Sequence, residues 1–121
     1  MDAGLGTGAA LARSFDAPDE ARETAGVRKD TIRLGATPVT RATYPAGWRH
    51  SRDFEPAPCP DTHVGYCAAG RLRVWWPDGT ELVVAAGDAF VLPPGHDAEC
   101  LEACTLIQFD GGESARERFG L

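Results

Sequence analysis

Apolar and polar residues alternate in short runs along most of the chain, and from residue 31 onward glycine and proline bound the runs. The runs are 31–34, 39–44, 63–69, 71–76, 81–84, 89–92 and 104–109. Period-two alternation over four to seven residues predicts strands, and seven such runs without a sustained helical period predict an all-β sandwich or barrel. The clearest local element joins 71–76 to 81–84 through Pro77-Asp78-Gly79-Thr80. Proline presets one turn dihedral and glycine accepts a positive one, so this stretch reads as a hairpin. Alternation puts Leu72, Val74 and Trp76 on one face, with Arg71, Arg73 and Trp75 on the other. Arginines at alternate positions read as a solvated face. Residues 1–27, rich in Ala, Gly, Asp and Glu with no period, are expected to form a loosely ordered arm. Residues 28–112 are then the barrel, and 113–121 a short tail with a turn of helix.

Composition narrows this to one domain, since 121 residues support a single hydrophobic core and any site must be built into it or its mouth. Fourteen glycines and nine prolines suit many short strands and turns. The net charge of −6 and the scattered arginines lack the basic footprint that a nucleic-acid partner requires. No run nears the ~20 apolar residues of a membrane helix, so no membrane partner is expected. The start Met1-Asp2-Ala3-Gly4 has neither a basic region nor an apolar run of signal length, and the expected location is cytoplasmic. Cys59, Cys67, Cys100 and Cys104 form no CxxC pair or zinc-finger spacing, and a reducing cytosol keeps them as thiols. Cys104, inside the apolar run Cys104-Thr105-Leu106-Ile107, reads as a small core hydrophobe.

Two segments resemble the paired motifs of the cupin superfamily. Gly87-Asp88-Ala89-Phe90-Val91-Leu92-Pro93-Pro94-Gly95 reproduces the second motif, a glycine, five residues, a proline, any residue and a glycine. In the first motif, with Gly70 as its closing glycine, His63 stands where the family has Glu, while Cys59 and Ala57 stand at its two histidine positions. Ala98 takes the place of the second motif's metal histidine, so no standard ligand is kept in identity. The chain is similar to a subgroup of small bacterial cupins marked by Gly47-Trp48, by Cys59 four residues before His63, and by Pro93-Pro94-Gly95-His96-Asp97. The resemblance covers roughly residues 31–110. It implies a single-domain jelly-roll barrel with a small-molecule pocket and a homodimer paired through sheet edges or exchanged N-terminal strands. It does not carry a reaction over to this chain.

If His63 faces the barrel, as its motif position implies, Gly65 and Cys67 share its face, and the glycine leaves room for a ligand. Cys59, in the stiff segment Pro56-Ala57-Pro58-Cys59-Pro60, together with His63 and His96 offers one sulfur and two imidazoles. That donor set suits Zn2+ with one position open to water or substrate. Asp97 or Asp61 is expected to orient a ligand histidine or act as general base. Trp48, His50, Tyr66 and Cys67 complete the expected pocket, with His50 at the rim, although aromatic residues of small β domains usually serve the core. The bland alternative is a loop thiol at Cys59, a histidine at 63 bonded to a carbonyl, and an ordinary surface turn around His96.

Three functional readings follow. The leading one is a zinc-dependent enzyme moving protons on a small carbonyl or carboxylate compound, an isomerase, epimerase, lyase or cyclase, with His63 and Asp97 in catalytic roles. The second is a metal-free binding or sensing cupin with Cys59, His63 and Tyr66 as polar anchors. The third is a structural subunit of a larger enzyme.

Overall fold

The computed structural model describes residues 9–110 and 117–121. Its strands are β1 (Glu20–Thr24), β2 (Val27–Leu34), β3 (Thr37–Tyr44), β4 (His63–Trp75), β5 (Glu81–Ala85), β6 (Ala89–Leu92) and β7 (Asp97–Gln108), with one helical turn, α1 (His50–Asp53), after β3. All pairings are antiparallel, and the sheet runs β1-β2-β3-β7-β4-β5, with β6 also on β4. The all-β expectation therefore holds, with one amendment. Among the described residues no ladder joins β1 to β5 or β6, so hydrogen bonding does not close the barrel.

Two expected strands, 63–69 and 71–76, are halves of the single 13-residue β4. Gly70 joins them at φ +80, where the register against β7 shifts. This bend divides the other edge of β4: His63–Tyr66 pairs with β6, and Arg71–Trp75 pairs with β5. The expected hairpin is present, with Gly79 at φ +92 and Trp76 N–H donating to the Thr80 carbonyl at 2.9 Å. Its faces divide as alternation requires: Leu72 and Val74 are buried, while Arg71 is exposed and bridged to Glu102 at 3.2 Å.

Of the expected loosely ordered arm, residues 1–8 lie outside the described residues, and within 9–27 the structure has a strand. Residues 20–24 form β1, joined to β2 by Ala25 at φ 52 and Gly26 at φ 80, the two positive dihedrals of a tight hairpin turn. Before it, Arg13 bridges Asp19 at 2.7 Å, and Asp19 N–H donates to the Thr31 carbonyl at 2.9 Å. Arg41 reaches Asp16 at 3.2 Å and lies 5.4 Å from the Phe15 ring centre. Arg41 also donates at 2.9 Å to the buried carboxylate of Asp30, which accepts from Arg28 at 3.0 Å. The expected tail helix lies partly outside the described residues; 117–119 are helical and Leu121 is buried in the core.

Inward-facing residues of β2, β3, β4, β6 and β7 surround an interior cavity. Val27, Ala42, Leu72, Leu92, Ala98 and Leu106 supply apolar wall, and Tyr44, Trp48, Phe54 and Phe119 supply aromatic wall.

Candidate metal centre

Cys59, His63 and His96 meet at this cavity, their donor atoms all within 4.8 Å of one another. Three local devices bring them there. The proline-rich segment lays Cys59 antiparallel to His96: Cys59 N–H donates to the His96 carbonyl at 2.9 Å, and Gly95 N–H donates to the Cys59 carbonyl at 2.7 Å. The Pro-Pro-Gly turn, with Gly95 at φ +94, delivers His96 buried at the head of β7. His63 opens β4 and lines the cavity directly.

Both imidazoles are held through Nδ1. His63 Nδ1 lies 3.0 Å from Asp110 Oδ2, and His96 Nδ1 lies 2.8 Å from the Pro93 carbonyl. A carbonyl oxygen only accepts, so His96 carries its proton on Nδ1, and a carboxylate imposes the same on neutral His63. Nε2 of each ring is then the free lone pair, the state a metal requires. His63 Nε2 lies 3.4 Å from Cys59 Sγ, and the two rings are 5.4 Å apart between centres. Donors of a tetrahedral zinc site stand about 3.3–3.8 Å apart. The first pair already has this spacing, and the widest separation closes to it with about an ångström of movement. The residues therefore fit zinc in identity, tautomer and approximate span.

Electrostatics favour a charged Cys59–His63 pair. Burial opposes the thiolate of Cys59, but the bond from the His63 imidazole, with the Asp61 N–H beside it, outweighs it and brings the thiol down to about 5. Burial likewise opposes a charged His63, yet Asp110, and Cys59 after it, raise that group to about 9. Metal-free protein thus holds a thiolate beside an imidazolium near neutral pH. Alkylation of Cys59 by iodoacetamide in chelator-treated protein is expected to reach half its maximal rate near pH 5. A midpoint in the ordinary thiol range, about 8.5, would contradict this arrangement.

Other expected site residues fall differently. Trp48 and His50 line the cavity, and His50 is buried against the rings of Trp48, Phe54 and Phe119. His50 Nε2 lies 3.1 Å from the Ala57 carbonyl, which keeps it apart from the trio. Tyr66 does not belong to the pocket: it alternates with Gly65 and Cys67 and points outward, 43% exposed. Cys67 is fully buried in the core, its thiol donating to the Ala69 carbonyl at 3.2 Å rather than facing the cavity. Gly65 makes no room for a ligand, because a Cβ there would lie 2.2 Å from the Ile107 carbonyl; the glycine admits β7.

Asp97, expected in a catalytic role, is not on the cavity wall. His96 and Ala98 face inward, so alternation turns Asp97 out, where Oδ1 accepts from Ser51 N–H at 3.1 Å and Ala98 N–H at 2.8 Å. It anchors α1. The orienting carboxylate is Asp110, which sequence reasoning missed, its second oxygen accepting from Val64 N–H at 3.2 Å. Asp110→Asn is expected to weaken metal binding about 10–100-fold while preserving the fold, as loss of a histidine's orienting partner does. Competition against a calibrated zinc chelator measures it, and unchanged affinity would remove Asp110 from the site. Asp61 also lines the cavity, 3.9 Å from Cys59 Sγ and bridged at 3.0 Å to Arg118, which also pairs with Glu55.

No family model and no curated protein matches the sequence. Solved structures do match in fold. An RmlC-like cupin from Shewanella frigidimarina is 23% identical, with 74% of this chain and 79% of that one covered at a TM-score of 0.53. KdgF from a Halomonas species is 19% identical over 76% and 87% of the two chains, at 0.55. Ectoine synthase from P. lautus is 11% identical over 89% and 86%, at 0.67. The chain has the cupin fold, with an antiparallel sheet around an interior cavity and a cysteine–histidine cluster on its wall.

Proposed function

We propose that the protein is a cupin enzyme that holds Zn2+ through Cys59, His63 and His96 and moves protons on a small carbonyl or carboxylate compound. The observation that carries this reading is the setting of both imidazoles, each bonded through Nδ1 and presenting Nε2 beside the Cys59 sulfur. Bound zinc would supply a Lewis acid for a carbonyl oxygen. The cavity's apolar and aromatic wall holds the carbon skeleton and excludes water. Of the two aspartates expected in the base role, Asp61 takes it, since its carboxylate is on the cavity wall and Arg118 fixes it. Ectoine synthase, one of the fold relatives, is by its name an enzyme. A cytoplasmic setting and a homodimer belong to the same proposal. Sedimentation velocity tests the dimer, and the outward side chains of Val64, Tyr66 and Val91 give it an exposed apolar face.

Hydrogen exchange tests the chemistry. Protein purified without a chelator or histidine tag is incubated in D2O with small 2-oxo and 3-oxo acids, and NMR follows protons next to the carbonyl. The expected result is catalysed exchange of at least one compound, reduced at least tenfold in folded His63→Ala and Asp61→Asn. Exchange no faster than buffer across the panel contradicts the enzyme reading and favours a binding or sensing pocket.

A second reading rests on the chain of contacts from Cys59 to His63 at 3.4 Å and on to Asp110 at 3.0 Å. Thiol, imidazole and carboxylate in that order also make a nucleophile, its base and an orienting group. Metal content separates the two readings, because zinc at this site occupies the sulfur that the second one needs.

A further inference from the structure

Lys29 is on the inner face of β2, 7% exposed and part of the cavity wall. Its cross-strand partner on β3 is Ala42, and two positions along β3 on the same face is Tyr44, against which Trp48 packs at a tilt, 4.7 Å between ring centres. The topology thus places an ammonium and an indole on neighbouring parts of one wall. Trp48 carries a second observation: its Nε1–H is buried and has no hydrogen-bond partner among the described residues. Buried donors in native proteins are nearly always bonded, and one left over on a cavity wall points to a ligand acceptor.

The Trp48 N–H only donates, so the ligand atom that satisfies it is an acceptor, and an ammonium on the same wall, which also only donates, selects an anionic group. Burial pulls the Lys29 ammonium below the ordinary lysine value, and the negative charge of Asp110, which faces the same cavity, opposes that shift. The same negative charge disfavours a dianion. We infer that Lys29 and the Trp48 indole N–H form a carboxylate subsite, so that the ligand is a small organic acid with an apolar body. This rests on the proposed function for the role of the acid as substrate; the binding itself needs no metal.

The three tryptophans give three indole N–H signals in a proton–nitrogen correlation spectrum, and Trp48→Phe assigns the one of interest. Isovalerate, isovaleramide and isobutyl phosphate are titrated into the protein as purified and after chelator treatment, with metal content measured on each sample. The expected result is a dose-dependent downfield shift of the Trp48 signal with isovalerate, at least tenfold weaker with the amide and with the phosphate ester, and present with or without metal. Lys29→Met is expected to raise the dissociation constant at least tenfold, and Lys29→Arg to recover most of it. Equal response to acid and amide, a silent Trp48 signal, or wild-type titration in Lys29→Met overturns the subsite. Stronger binding of the phosphate ester overturns the carboxylate assignment. Protein that is purified without zinc, stays empty after incubation with zinc and still binds isovalerate leaves the subsite standing while the metal reading fails.

Discussion

Replacing Cys59 by alanine is expected to lower bound zinc from about one ion per chain to below a tenth of that, the largest functional effect of any single change. Cys59 is the sulfur donor of the trio, and two imidazoles alone make an incomplete site for this metal. The loss also registers as stability. A ligand bound only by the native state adds about 4 kcal/mol at a thousandfold excess over its dissociation constant, or roughly 15 °C in Tm for a chain of this size. Native protein is therefore expected to melt about that much lower after chelation, whereas Cys59→Ala shows no chelator effect. Zinc retained by the variant would mean that other side chains hold it.

Gly70→Ala is expected to produce the largest loss of stability. The residue adopts φ +80 at the bend of β4, and a Cβ built there lies 2.2 Å from the Ala103 carbonyl and 2.6 Å from Cys104 Cα. These are backbone atoms of the neighbouring strand, so no side chain can swing aside. The left-handed dihedral costs about 1–2 kcal/mol by itself, and the clash raises the total to at least about 3 kcal/mol, or a fall of more than 10 °C. Gly79→Ala is a suitable control, because φ is also positive there but nothing lies within 4 Å. It is expected to cost no more than about 2 kcal/mol. Equal losses in the two variants would show that the dihedral, and not the approach of β7, sets the cost.

Strand positions were legible because one face of each strand is buried and the period of two shows it, as at Leu72 and Val74. The edge strand β1 was not. Glu20-Ala-Arg-Glu-Thr carries little apolar signal at a sheet edge, and Ala25-Gly26 is a weaker turn marker than Asn-Gly. The Cys59, His63 and His96 cluster could be read from the motif positions, and the Pro-rich segment and the Pro-Pro-Gly turn explain its assembly. Tyr66 and Asp97 fail by the rule that correctly places their neighbours, since alternation sends each to the face opposite the cavity. Asp110 was beyond reach for another reason. It follows the end of β7, 47 positions from His63, and no local period connects residues that only the β4–β7 pairing brings together. Lys29 was hidden because a charged residue near a strand start ordinarily reads as solvated.

X-ray absorption at the zinc edge, on protein purified without chelator and analysed for metal content, tests the central claim most directly. The account requires near-stoichiometric zinc with one sulfur at about 2.3 Å and nitrogens at about 2.0–2.1 Å. A shell of nitrogen and oxygen only, or protein that remains empty after incubation with zinc, would contradict it.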